Sequence, residues 1–150
     1  MIITAHVVSG GVMGEMIGTP IIAFIVGIFF HFVLDLIPHW DSTDGEKWTK
    51  RQVVFTSLDI VLTLFIVFGV FGIRLTPAFF IGPFFWGAVG NMLPDIFDNV
   101  PYIKKWFRNT VFGKAFHKFH DGLHKMKPKP SLGIFTQIFV ISLFIALYFI

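Results

Sequence analysis

The chain contains no cysteine. That excludes a disulfide-framed secreted module and any site built on thiolates. Charge is scarce as well. Asp, Glu, Lys and Arg make up 14% of the 150 residues, against roughly 25% in an average soluble domain. So little polar surface cannot coat a water-soluble globule, and a disordered chain is excluded too. Also missing are a Gly-x-Ser-x-Gly elbow, a His-Glu-x-x-His helix, a Walker loop and a dinucleotide fingerprint. There is no internal repeat and no low-complexity tract.

What is present is apolar. Hydrophobic residues reach 55%, phenylalanine alone fills 21 positions, and mean hydropathy is +0.76. The length suits one domain, read here as a single membrane-embedded unit over residues 1–150. A bilayer-spanning helix needs about 20 mostly apolar residues. Stretches 20–37, 53–73, 77–93 and 132–150 qualify. Residues 2–17 form a weaker fifth stretch, carrying His6 and Glu15 before a Gly18-Thr19-Pro20 break. It lacks the basic start and small-residue cleavage site of a signal peptide. Unpaired amides are too costly in lipid for anything but helices or closed barrels, and no period-2 alternation suggests a barrel. The expected fold is all-α: a polytopic membrane bundle of about five transmembrane helices plus one amphipathic interfacial helix.

Basic residues orient this bundle. Residues 94–131 hold 8 of the 12, and residues 38–52 hold Lys47, Lys50 and Arg51. Only Arg74 lies elsewhere. The positive-inside rule makes the rich side cytoplasmic, so the N-terminus is expected inside, in a prokaryotic-type inner membrane. The pI of 9.3 then reports topology and affinity for anionic membrane lipids. No nucleic-acid module accompanies it, and no nucleic-acid partner is expected.

Polar residues collect at that same boundary. His31 and Asp35 are spaced to share one helix face, and such a pair can grip a metal ion. His39 and Asp41 follow Pro38. Asp59 lies about two turns into the next span, where it either serves the site or caps a neighbouring helix. Asn91, Asp95 and Asp98 flank the end of the third span, and His6 sits near the start of the first helix. Residues 112–126 read as an amphipathic helix with Phe116, Phe119, Leu123 and Met126 on one stripe. His117, His120 and His124 share a neighbouring sector, with Asp121 at its border. That sector either faces the bundle mouth or touches lipid phosphates. The candidate metal ligands are thus His6, His31, Asp35, His39, Asp59, Asp95, His117, His120 and His124. Neutral His and ionised Asp without Cys suit Zn²⁺, with Mn²⁺ or Fe²⁺ as alternatives. More than four ligands suggests two or more ions. Two-metal sites stabilise attacking and leaving oxygens in phosphoryl displacement. Asp121 or Asp98 is the expected general base.

The motifs His31-x-x-x-Asp35-Leu-Ile-Pro38-His39-Trp-Asp41, Leu93-Pro94-Asp95 and Thr4-Ala5-His6 resemble those of small bacterial membrane-bound metal-dependent hydrolases. That group is distantly similar to zinc-dependent phospholipase C and P1-type nucleases. The resemblance implies His-x-x-x-Asp ligands on helices and a multi-zinc site. His31 and Asp35 carry over best, then Asp95 and His6, ahead of Asp59 and the His117–His124 group.

The expected function is a metal-dependent phosphoesterase acting on phospholipid or other phosphate esters at the cytoplasmic leaflet. The alternative is a non-enzymatic small membrane protein that handles metal or protons, or a homo-oligomeric scaffold. Gly10, Gly11, Gly14 and Gly18 would permit close helix contact in such an oligomer.

Overall fold

The computed structural model describes residues 1–40, 48–123 and 128–150. Among these the chain is all-helical, with no strand. The helices are α1 (Ile3–Ile17), α2 (Pro20–Asp35), α3 (Lys50–Leu64), α4 (Pro77–Ile81), α5 (Pro83–Asn99), α6 (Pro101–Phe107), α7 (Val111–Leu123) and α8 (Pro130–Tyr148). A π-helical stretch, Phe65–Val70, continues α3.

Proline and glycine set the boundaries. Pro20, Pro77, Pro83, Pro101 and Pro130 stand at the starts of α2, α4, α5, α6 and α8. A helix start needs no partner for that missing N–H, and proline's fixed φ suits it. α1 ends on Gly18 at φ 74°, a left-handed cap that glycine adopts without steric cost. α3 opens with a capping box. The Gln52 N–H donates to Thr49 Oγ1 at 3.3 Å, and the Thr49 N–H donates to Gln52 Oε1 at 2.7 Å, pairing two donors a helix start otherwise orphans.

α5 is the axis of the bundle. α1 packs on it through Gly10 and Gly14, which face Gly87, and α2 packs on it through Gly27. A Cβ at Gly27 would stand 2.6 Å from the Gly87 carbonyl oxygen and 3.0 Å from the Asn91 nitrogen. No side chain fits there, so the backbones approach as small-residue helix pairs do. The glycines expected to serve an oligomer contact, Gly10, Gly11 and Gly14, are therefore buried inside one chain. This close crossing brings His6, His31 and Asn91 together. The apolar core lies beyond it, with Ala5, Val8 and Val12 of α1 packed among Phe84, Val140 and Phe144.

The expectation of five full spans is not supported. Among the described residues two helices are long and apolar enough to cross a membrane: Lys50–Val70, with 21 residues, and Pro130–Tyr148, with 19. At 1.5 Å per residue these reach about 31 and 28 Å, against a hydrocarbon core of about 30 Å. α1, α2 and α5 have 15, 16 and 17 residues. The stretch 77–93 is not one helix either. It breaks at Gly82, whose extended backbone precedes Pro83, and a residue before proline is disfavoured in the helical region. α5 instead runs on through Pro94 to Asn99. α7 begins one residue before the expected interfacial helix and covers its residues 112–123. Asp41, His124 and Met126 lie outside the described residues.

Candidate metal centre

α2 ends in the His31/Asp35 pair, one turn apart and buried. His31 Nε2 lies 3.0 Å from Asp35 Oδ2. α7 inserts His120 from the other side, its Nε2 3.0 Å from the same oxygen and 3.1 Å from His31 Nε2. α7 is seated there by Phe116 and Phe119, whose rings pack on Phe32 of α2. Asp95 of α5 completes the group, with Oδ1 at 3.9 Å from His31 Nε2 and 3.8 Å from His120 Nε2. One ligand atom from each of the four lies within 4.8 Å of all the others, so the group could hold a metal ion.

The second oxygens of both carboxylates face α1. His6 stacks on His31 with ring centroids 4.3 Å apart. Its Nε2 lies 3.4 Å from Asp35 Oδ1 and 3.6 Å from Asp95 Oδ2. His39 Nε2 is 3.9 Å from Asp35 Oδ1, and the Met1 amino group is 3.3 Å from it. α8 holds the His39 segment in place. Thr136 Oγ1 donates to the Pro38 carbonyl at 2.6 Å, and Gln137 Nε2 donates to the Trp40 carbonyl at 3.1 Å.

The far ring nitrogens decide the chemistry. His31 Nδ1 donates to the Asn91 carbonyl at 2.7 Å, and His39 Nδ1 to the Ile37 carbonyl at 2.8 Å. A carbonyl only accepts, so both Nδ1 atoms carry protons. His120 Nδ1 donates to Asp98 Oδ2 at 3.0 Å. His6 Nδ1 donates to Asn91 Oδ1 at 3.1 Å, an orientation fixed by Asn91 Nδ2 donating to Ser9 Oγ at 3.2 Å. A neutral imidazole protonated at Nδ1 has a bare lone pair at Nε2. His6, His31 and His39, when neutral, each turn such a lone pair on Asp35, while His120 carries a proton at Nε2 that a metal ion would replace. A neutral His31 turns its lone pair on an oxygen 3.0 Å away, which is repulsive unless a metal ion or the His120 proton lies against both. His6 Nε2, in a residue 1% exposed, has no hydrogen-bond partner among the described residues. Metal-ligating histidines are oriented in this way, through the nitrogen facing away from the metal. The donor set fits a divalent ion of the zinc, manganese or iron kind.

Behind His120 lies a second, more polar layer. Asp98 accepts from Arg108 Nε at 2.8 Å and from His117 Nδ1 at 3.0 Å, besides His120. Burial works against its charge, but the hydrogen bonds from His120, His117 and Arg108 prevail and hold its carboxyl well below the usual carboxylate range. Burial likewise opposes a charge on His120. Its hydrogen bonds to Asp35 and Asp98, with the charges of Asp95 and Asp35, overcome this and push its pKa up to about 9.

Of the residues expected from sequence, His6, His31, Asp35, Asp95 and His120 converge, with His39 at the edge. His117 reaches Asp98, not the cluster. Asp98 accepts from three donors, Arg108, His117 and His120. Asp121 is exposed on α7. Asp59 takes the capping role left open above, accepting from the Ile3 N–H at 2.6 Å, the Thr4 N–H at 3.2 Å and the Thr4 hydroxyl. Those are donors that a helix start otherwise leaves unpaired. Asn91 and Arg108 were not among the expected site residues. Asn91 sits four residues before Asp95 on the same face of α5, and that spacing was the available signal.

Comparison of the chain with models of protein families, with curated proteins and with solved structures finds no match. The functional reading therefore rests on the geometry.

Proposed function

We propose that the protein is a membrane-embedded metal-dependent hydrolase of phosphate esters. The observation that supports this best is the set of four histidines whose Nδ1 atoms are occupied and whose Nε2 atoms face Asp35 and Asp95. His31, Asp35, Asp95 and His120 would hold one divalent ion, zinc in the first instance. His6, with the outer oxygens of the two carboxylates, would hold a second. When bound, such ions polarise a phosphoryl oxygen and lower the pKa of a water.

The chain's own residues set the stage for hydrolysis. Asp98 fixes the His120 ring, Asn91 fixes His6 and His31, and Arg108 neutralises Asp98 and adds positive potential for an anionic head group. In the reaction a water oxygen bonds to phosphorus while the ester P–O bond breaks. The electron pair leaves with the ester oxygen, which takes up the proton given up by the water.

α3 and α8 support the membrane setting. Only 17% and 22% of their most apolar stretches are buried, less than the core helices of a soluble globule bury. Their exposed faces, with Leu58, Val61, Phe135 and Phe139, are read as lipid-facing. The shorter α1, α2 and α5 complete the bundle, with the His/Asp end as its cytoplasmic mouth.

Elemental analysis of the purified protein, paired with a p-nitrophenyl phosphate assay, tests this reading. The expected result is at least one tightly held transition-metal ion per chain and metal-dependent hydrolysis, both lost when His31→Ala and Asp35→Ala are combined. Metal-free wild-type protein, or unchanged metal content in the double variant, contradicts it.

A further inference from the structure

A cavity of about 490 Å³ lies against the His/Asp cluster, within the roughly 300–1,000 Å³ typical of small-molecule sites. His6 and Asp95 line one part of it. Most of the remaining lining is apolar. Ile3 of α1 with Met92 and Ile96 of α5 form a half-buried back wall, while Leu62 of α3 and Ile138 of α8 form the flanks. The flanks thus come from the two helices fit to cross a membrane. Leu62 and Ile138 are 43% and 57% exposed, on the faces of α3 and α8 that the reading above turns to lipid.

Two buried side-chain atoms among the described residues lack a hydrogen-bond partner: His6 Nε2 and Trp48 Nε1. Both residues line this cavity. A buried indole N–H without an acceptor is costly, and it is a donor. It calls for an occupant that carries an acceptor. The apolar walls call for a hydrocarbon chain, and the His/Asp end calls for a group that meets a cation.

We propose that this cavity receives the hydrocarbon tail of a lipid phosphate ester, entering from the bilayer between α3 and α8. The phosphate head then lies at His6 and Asp95, and one of its oxygens accepts from Trp48 Nε1. The proposal deepens the hydrolase reading and rests on it, because Asp95 without a bound cation would repel such a head. A short-chain soluble ester would leave the apolar walls without contacts. A cationic amphiphile would fill the walls but give Trp48 no acceptor and the metal no ligand.

Photo-crosslinking tests the proposal on the full chain, zinc-loaded in lipid nanodiscs. The probe is dodecyl phosphate with a diazirine at the tail end, and adducts are mapped by peptide mass spectrometry. The expected adducts fall on Ile3, Met92 or Ile96, which bulk lipid reaches poorly. The double variant L62W/I138W, which fills the cavity from both flanks, should lower this labelling about tenfold, the change that corresponds to about 1.4 kcal/mol of binding. Its unchanged metal content would show that the fold is kept. Trp48→Phe removes the donor without removing the ring and should lower labelling by the phosphate probe alone. A trimethylammonium probe with the same tail should label the back wall about tenfold less than the phosphate probe. Adducts confined to the outward residues Val61, Phe135 and Phe139, or equal back-wall labelling by both head groups, overturn the proposal. Equal hydrolysis of butyl and dodecyl phosphate without back-wall labelling removes the tail site and leaves the hydrolase standing. Back-wall labelling by the phosphate probe in a protein that binds no metal also overturns the proposal, since the head would then need no cation beside Asp95.

Discussion

Two carboxylates set inside the helix bundle, Asp59 of α3 and Asp35 of α2, meet opposite surroundings. Asp59 is ringed by donors: two backbone N–H groups at the start of α1 and the Thr4 hydroxyl. Asp35 lies against the Nε2 atoms of His6, His31, His39 and His120. Each of those rings directs its Nδ1 proton to an acceptor elsewhere. The first carboxylate is satisfied by the fold. The second is in balance only with a positive charge between it and the rings, supplied in part by a proton on His120 and the Met1 amino group, or in full by a metal ion. The partners' proton inventory, more than burial, separates a structural carboxylate from a ligand.

The largest expected effect breaks this comparison most sharply. Asp35→Asn keeps the shape and removes the charge, and it should weaken metal binding by more than the roughly 10–100-fold typical of outer-shell changes. Asp59→Asn should leave metal stoichiometry intact. Inductively coupled plasma analysis of both variants decides, and loss of metal from the Asp59 variant would erase the distinction. Next comes Asp98→Asn, which leaves every ligand in place but loosens His120. Metal affinity should fall about 10–100-fold, measured by competition with a chromogenic chelator. A change under about twofold would remove Asp98 from its positioning role.

The dependence on pH sharpens the same point. His120 is held up to about 9, so a metal ion must displace its proton at neutral pH. Metal affinity should rise about tenfold per pH unit and level off above about 9. The metal-free fold behaves oppositely. A raised histidine pKa stabilises it fully below the free value of about 6.5, and that contribution disappears as pH rises through about 9. Thermal melts with and without chelator should therefore diverge as the pH increases. A constant gap contradicts the assignment.

Smaller effects belong to the structural side. Asp59→Ala strands the N–H groups of Ile3 and Thr4 and should cost about 1–3 kcal/mol of stability, read by denaturant melts, with metal content unchanged. Asp121→Asn should change stability by less than about 0.5 kcal/mol and leave hydrolysis untouched. A large loss of activity there would restore Asp121 as the general base expected from sequence.

The His31/Asp35 pair was legible from spacing alone, because i and i+4 share a helix face whatever surrounds them. Asp95 and His6 were legible as polar residues at the same end of apolar segments. The choice between His117 and His120 was not. It depends on how α7 is rotated over Phe32, a tertiary contact with no signature within α7 itself. Asp59 was open between two roles because a sequence shows a carboxylate but not the helix start that meets it. The five-span count failed for a related reason. Hydropathy registers an apolar stretch without its helix ends: α1, α2 and α5 stop at 15, 16 and 17 residues, and residues 77–93 break at Gly82 before Pro83. Asn91 was visible beside Asp95 at the end of its segment, but its role of orienting His6 and His31 was not, because an amide is no usual metal ligand.

The central claim is that imidazoles and carboxylates of this cluster jointly hold a metal ion. X-ray absorption at the zinc edge of the zinc-loaded protein tests it most directly. The prediction is a shell of nitrogen and oxygen at about 2.0–2.1 Å, with outer-shell imidazole scattering that weakens in His31→Ala and weakens further when His120→Ala is added. A shell without imidazole scattering, or one unchanged by those substitutions, contradicts it.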